Sequence, residues 1–268
     1  TALVHVMGGG KLLIQEGAVL QNNLAGRESK GYDGGAVYIE NGTGEMTGGV
    51  IQNNTARNNG GGVSVCHGTF TMSGGEIVGN TAVYGGGICA VRGGRVELRD
   101  NALISKNSAS DGGGVNLGAH TTAEACYGNE KQTLEMTGGT ISTNSASNNG
   151  GGIFIQSNSS AIIREGDIVE NEITGGSSFR YRGAGIYVNG GKGNQLDTDD
   201  EIPNGLLQLY NAEIADNIAN EYGGGLAACP TANVKIYVTD GAVFHNNRLD
   251  TKSCLLYTSP SPRDYAAS

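Results

Sequence analysis

The sequence predicts an all-β fold, a parallel β-helix (solenoid) of about eight coils. Three observations carry this reading. A motif of an aliphatic residue, two variable residues and an Asn recurs along the chain. A glycine cluster leading into an aliphatic residue follows each of the motif's first seven occurrences. The stretches between alternate apolar and polar residues, the pattern of strands with one buried face.

The motif runs Leu20 to Asn23, Ile51 to Asn54, Ile77 to Asn80, Ile104 to Asn107, Ile141 to Asn144, Ile168 to Asn171, Ile214 to Asn217 and, with an aromatic at its head, Phe244 to Asn247. Subtracting residue numbers places successive Asn 31, 26, 27, 37, 27, 46 and 30 residues apart. The short spacings suit one coil, and the long ones contain loops. The glycine clusters precede Val37, Val63, Ile88, Val115, Ile153, Ile186 and Leu226. They permit positive φ and let backbones approach where a Cβ would clash once per coil. Strands are expected around Phe70-Thr71-Met72, Val96-Glu97-Leu98, Leu134-Glu135-Met136, Leu207-Gln208-Leu209 and Ile236-Tyr237-Val238. Asn23, Asn54, Asn80, Asn107, Asn144, Asn171, Asn217 and Asn247 are expected to form a structural ladder. An Asn tolerates the left-handed region, and its amide both donates and accepts, so equivalent Asn can bond along the axis and to turn carbonyls.

Composition agrees. The 268 residues include 47 Gly and only 4 Pro, which excludes a collagen-like repeat. No apolar run approaches the ~18 residues of a membrane helix. With 17 Lys and Arg against 26 Asp and Glu the net charge is −9, which repels phosphate backbones and argues against nucleic acid. No signal-like segment follows Thr1 and the repeat is under way by Gly9, so the piece is expected to lack the true N-terminus. Residues 254–264 resemble the translated frame of a sequencing-library adapter. Residues 1–253 are therefore read as the β-helix domain, cut short at both ends, and residues 254–268 as a non-native tail.

The pairing of Gly-Gly-Gly/Ala-Ile/Val with Ile/Phe-x-x-Asn resembles the repeats of polymorphic outer membrane proteins and of adhesin-like surface proteins of microbes. The resemblance covers almost all of residues 9–247. It implies a right-handed parallel β-helix, an extracellular or cell-surface location, and a passenger or stalk role in a large exported protein. The partners it implies are glycans or host surface proteins, together with flanking coils of the same parent protein. No cofactor is expected.

The candidate sites lie on outward strand positions. Taking the residue after each glycine cluster as inward, Tyr38, Ser64, Cys89, Asn116, Phe154, Tyr187 and Ala227 face outward, followed by a row from Glu40 and Cys66 to Cys229. Phe154 and Tyr187 on adjacent coils form either an aromatic platform for a sugar ring or a covered cross-strand pair. A third outward row runs Glu45, Thr71, Glu97, Glu135, Ile162, Gln208, Tyr237. Glu97 and Glu135 could lie ~5 Å apart, a spacing that suits the carboxylates of a retaining glycosidase or a cation. They carry the alternative reading, a polysaccharide lyase or glycoside hydrolase of the pectin-lyase-like class. Arg95 and Arg99 beside Glu97 fit an ordinary solvated face instead, and the lead fails where arginines span the two carboxylates. Asp197, Asp199, Asp200 and Glu201 offer oxygens for Ca²⁺ without the spacing of a calcium loop, so a solvated loop tip is the plainer reading. Cys66, Cys89, Cys126 and Cys229 show no C-x-x-C spacing, and Cys66 and Cys89 fall two places out of register for a disulfide. His5, His67, His120 and His245 are scattered over different coils, which gives no support to a nucleophilic triad.

Overall fold

The computed structural model describes residues 1–26, 34–118, 130–175, 182–190 and 203–250. All strand pairings among them are parallel, and each strand pairs with its equivalent in the neighbouring coil. The chain is an all-β parallel β-helix. Its first sheet has eight strands, from Val4–Met7 through Val37–Glu40, Val63–Cys66, Ile88–Val91, Val115–Leu117, Ile153–Ile155 and Ile186–Val188 to Leu226–Ala228. The second sheet, of 11 strands, contains the long strands Thr43–Gln52, Thr69–Val78, Gln132–Ser142, Ser159–Val169 and Leu206–Ala215. Two of its pairings shift register at Met46/Thr47 and Met136/Thr137, so each long strand bends around a corner of the coil. The third sheet runs from Ser108–Asp111 to Arg248–Leu249, and single bridges at Thr81 connect it to Thr55–Ala56. The only helical turn among the described residues is the 3-10 turn Val238–Asp240.

Stacked aliphatic side chains fill the tube. Val4, Val37, Val63, Ile88, Val115, Ile153, Ile186 and Leu226 are successive register partners. Phe70, Met46, Met72, Leu98 and Met136 close the opposite wall, all at most 1% exposed. Burying a side chain of this size contributes about 1.5–3 kcal/mol, so the repeat gains its stability coil by coil.

Glycine at the corners is a steric requirement. Gly112 has φ 66°, and a Cβ there would lie 2.6 Å from the Val115 carbonyl. A Cβ on Gly113 would lie 2.4 Å from the Gly151 carbonyl of the next coil. No L side chain fits either position without moving the backbone.

Candidate functional site

The eight ladder Asn line up on one axis at the corner after the second sheet. The Asn80 backbone N–H donates to Asn107 Oδ1 at 2.9 Å, and Asn80 Nδ2 donates to the same oxygen at 3.0 Å. The other Nδ2 hydrogen of Asn80 reaches back to the Ile51 carbonyl at 3.0 Å. Asn107, Asn144, Asn171 and Asn217 repeat all three bonds. Asn54 shares the pattern, Asn23 accepts its place in the ladder through a backbone bond to Asn54 Oδ1 at 3.0 Å, and Asn247 ends it. Asn54, Asn80, Asn107, Asn144, Asn171 and Asn217 are fully buried. With both amide hydrogens and the carbonyl oxygen engaged, these side chains have nothing left to offer a ligand.

The left-handed conformation does not fall on the ladder Asn. It falls one residue earlier, at Asn22, Asn53, Gly79, Lys106, Thr143, Glu170, Asp216 and Asn246, with φ between 53° and 67°. The ladder Asn serves by hydrogen bonding alone. The residue before it makes the turn.

Glu97 and Glu135 are direct register partners on adjacent strands of the second sheet. Arg95 spans them, with Nε 2.7 Å from Glu97 Oε1 and an Nη 3.0 Å from Glu135 Oε2. Arg99 pairs with the second Glu97 oxygen, and Arg164 approaches Glu135 at 3.4 Å. Burial alone would raise the Glu97 carboxyl, but the hydrogen bond from Arg95 and the charges of Arg95 and Arg99 outweigh it and hold the group below its ordinary value. A general acid needs the opposite shift. The two carboxylates therefore form the middle of an ion-pair network, and the geometry does not support the enzymatic lead.

The middle of the first sheet's outward row is covered, one of the two alternatives for Phe154 and Tyr187 and not expected for Ser64, Cys89 and Asn116. Ser64, Cys89 and Asn116 are 0% exposed, Phe154 2% and Tyr187 6%. Side chains from the turn before the glycines fold over it: Asn59 Oδ1 lies 3.7 Å from Cys89 Sγ, and Cys89 and Cys66 form a small apolar cluster with Val91, Tyr38 and Tyr84. Ser64 Oγ and Asn116 Oδ1 are buried within this layer without a hydrogen-bond partner. The Phe154 and Tyr187 rings pack against each other, centroids 5.4 Å apart at 31°. Burial, reinforced by the Cys229 thiol 3.4 Å away, pushes the Tyr187 hydroxyl up to about 12. The pair is the covered cross-strand alternative, with both rings buried.

A stacked pair with more exposure joins Tyr210 on the second sheet to Tyr237, the residue just after that sheet's strand Asn233–Ile236. Tyr210 and Tyr237 are parallel, 4.3 Å apart at 4°, with the Arg164 guanidinium 5.3 Å from the Tyr210 centroid. Sequence reasoning made Tyr237 the register partner of Gln208, whereas the register pairs Gln208 with Lys235 and Gln208 Nε2 reaches only the Tyr237 hydroxyl, at 3.4 Å. The one signal for the stack was that Tyr237 and Tyr210 each follow the inward aliphatic of their own strand, Ile236 and Leu209.

Cys66 and Cys89 keep the two-place offset, since Cys66 pairs with Val91 and Cys89 with Ser64, and both are free thiols, as is Cys229. His5 meets Glu40 at 3.0 Å, His245 meets Glu213 at 3.0 Å, and His67 meets Glu130 at 2.5 Å in an open groove of 470 Å³ lined by Asn41, Gly93 and Lys131. Among the described residues no three His, Cys, Asp or Glu side chains gather as metal ligands would. Asp197, Asp199, Asp200, Glu201, Cys126, His120 and residues 254–268 lie outside the described residues. Comparison of the chain with known protein families, with curated proteins and with solved structures finds no match.

Proposed function

We propose that residues 1–253 form a surface-exposed, non-catalytic β-helix segment of an exported microbial protein, acting as a stalk or as an adhesin toward glycans or host proteins. The observation that carries this reading is the Asn ladder, in which Asn23 gives one bond and each Asn from Asn54 to Asn217 gives two to the Asn of the next coil, those from Asn54 to Asn217 being fully buried. Such a structure holds its length under load, because stretching it along the axis requires many parallel bonds to break together. The arginine pairing of Glu97 and Glu135 argues in the same direction, since a carbohydrate-active site built on that pair needs an acid free to give up a proton. The test is one ligand set read two ways, a glycan array for binding and a polysaccharide depolymerisation assay for products. Binding without products supports the adhesin form and no binding the plain stalk, whereas product formation that Glu97→Gln abolishes would overturn the reading.

A further inference from the structure

Asn is followed directly by Gly at five places, Asn41, Asn59, Asn149, Asn189 and Asn204. At such a step the Gly nitrogen can reach the Asn side-chain amide, because no Cβ stands in its way. The fold restrains four of the five. The Gly60 N–H donates to the Tyr84 carbonyl at 2.9 Å, the Gly150 N–H to the Arg182 carbonyl at 3.1 Å and the Gly205 N–H to the Asn189 carbonyl at 3.0 Å. At Asn189 the amide itself is held, with Nδ2 donating to Gln156 Oε1 at 3.1 Å. Asn41 differs at both groups. It stands exposed, with φ 54°, at the corner between the strands Val37–Glu40 and Thr43–Gln52. Among the described residues no hydrogen bond engages its side-chain amide or the Gly42 N–H. The Asn41 carbonyl accepts from the Gly9 N–H at 2.6 Å, a bond to neither reacting group.

We infer that Asn41 is a modification site, where the folded chain deamidates with water as its only co-reactant. The Gly42 nitrogen attacks Asn41 Cγ, and the new N–Cγ bond forms as the Cγ–Nδ2 bond breaks. The Gly42 N–H proton leaves with the amide as ammonia. Water then opens the cyclic imide, at the Cγ carbonyl to give aspartate or at the backbone carbonyl to give isoaspartate at position 41. Nothing is oxidised or reduced. The glycine that makes the step reactive is fixed by packing, since a Cβ on Gly42 would lie 2.7 Å from Val6 Cγ1 and 2.9 Å from the Gly10 carbonyl. Either product adds a negative charge to the groove that Asn41 lines with His67, Glu130 and Lys131. Isoaspartate also lengthens the backbone between two bonded groups, the Asn41 N–H on the Cys66 carbonyl at 3.0 Å and the Thr43 N–H on the Gly10 carbonyl at 2.9 Å. The reaction needs no partner, so it proceeds whether the chain is a stalk or an adhesin.

Ageing the full 268-residue chain in mildly alkaline buffer tests this, with conversion at each of the five steps followed by peptide mapping and mass spectrometry. The signal is the mass gain of an amide hydrolysed to a carboxyl, and the two products separate by retention. Each of the other four steps must first break a hydrogen bond at a reacting group, so Asn41 is expected to convert roughly tenfold faster than any of them. The same chain unfolded in urea supplies the control. There the restraints are gone, and the five steps should converge on similar rates. Two results would overturn the inference. One is any of Asn59, Asn149, Asn189 and Asn204 converting as fast as Asn41 in the folded chain. The other is Asn41 staying intact in the folded chain while it reacts in urea, which would show that the fold protects this corner as well.

Discussion

Thr143 sits at φ 53°, one position before the ladder residue Asn144, with its side chain exposed. A β-branched residue in the left-handed region strains its own backbone by about 1–2 kcal/mol. Asn tolerates that region, and the equivalent corners of other coils carry Asn22, Asn53 and Asn246. Thr143→Asn is therefore expected to stabilise the chain by about 1 kcal/mol, seen as a higher urea midpoint at unchanged slope. Thr143→Gly should stabilise less, because Gly adds freedom to the unfolded chain. A loss of stability in Thr143→Asn would mean the corner is not strained. The sequence made the ladder legible as a recurring Asn but misassigned the turn, for a physical reason. Lys106, Thr143 and Glu170 occupy the left-handed position with residues that give no local sign of it, held there by the bonds of the Asn that follows.

On the faces of the sheets, alternation tells which side chains leave the tube but not what meets them outside. Glu97 and Glu135 were readable as neighbours because both sit between inward aliphatics on consecutive coils, and the flanking Arg95 and Arg99 were readable as their partners. Tyr237 was misplaced because a two-residue slip leaves a period-two pattern unchanged. The turn Val238–Asp240 ends the strand at Ile236 and fixes the register. The cover over Cys89 was illegible for a different reason: it comes from turn side chains such as Asn59 and Tyr84, whose direction no strand pattern encodes. The ion-pair network makes a pH prediction. The Glu97 carboxyl is lowered in the folded chain, so its contribution is complete above its ordinary value of 4.5 and disappears as the pH falls through the lower folded value. Asp167 has the opposite sign, raised by burial and by Glu213 beside it, so its contribution is present in acid and lost as the pH rises through the raised value. The difference between parent and Glu97→Gln isolates the first effect. The parent should be more stable by about 1 kcal/mol at neutral pH and should lose that advantage in acid, followed by urea unfolding at stepped pH. An advantage that persists below the folded value would show that the arginines do not stabilise the ionised Glu97.

At the scale of the whole solenoid, each coil touches only its two neighbours, so the cost of a lesion depends on its place along the axis. The Asn107 side chain receives two bonds from Asn80 and gives two, to Asn144 and to the Ile77 carbonyl, all in the fully buried stretch of the ladder. Asn107→Ala strands the Asn80 N–H, an Asn80 amide hydrogen and the Ile77 carbonyl away from water, each at roughly 1–3 kcal/mol, so the expected loss is about 3–9 kcal/mol. Asn23 stands at the open end and is half-buried. Its side chain serves only the Gly35 and Thr1 carbonyls, and Asn23→Ala should cost about 1 kcal/mol. Hydrogen exchange distinguishes these outcomes better than a single melting temperature, because a long repeat array need not unfold in one step. In Asn107→Ala the amides of Asn80 and Asn144 should both lose protection, dividing the solenoid near its middle. In Asn23→Ala the loss should stay within the first two coils. Equal protection loss from the two variants would mean that the Asn bonds decorate the corner while the aliphatic stack alone couples the coils.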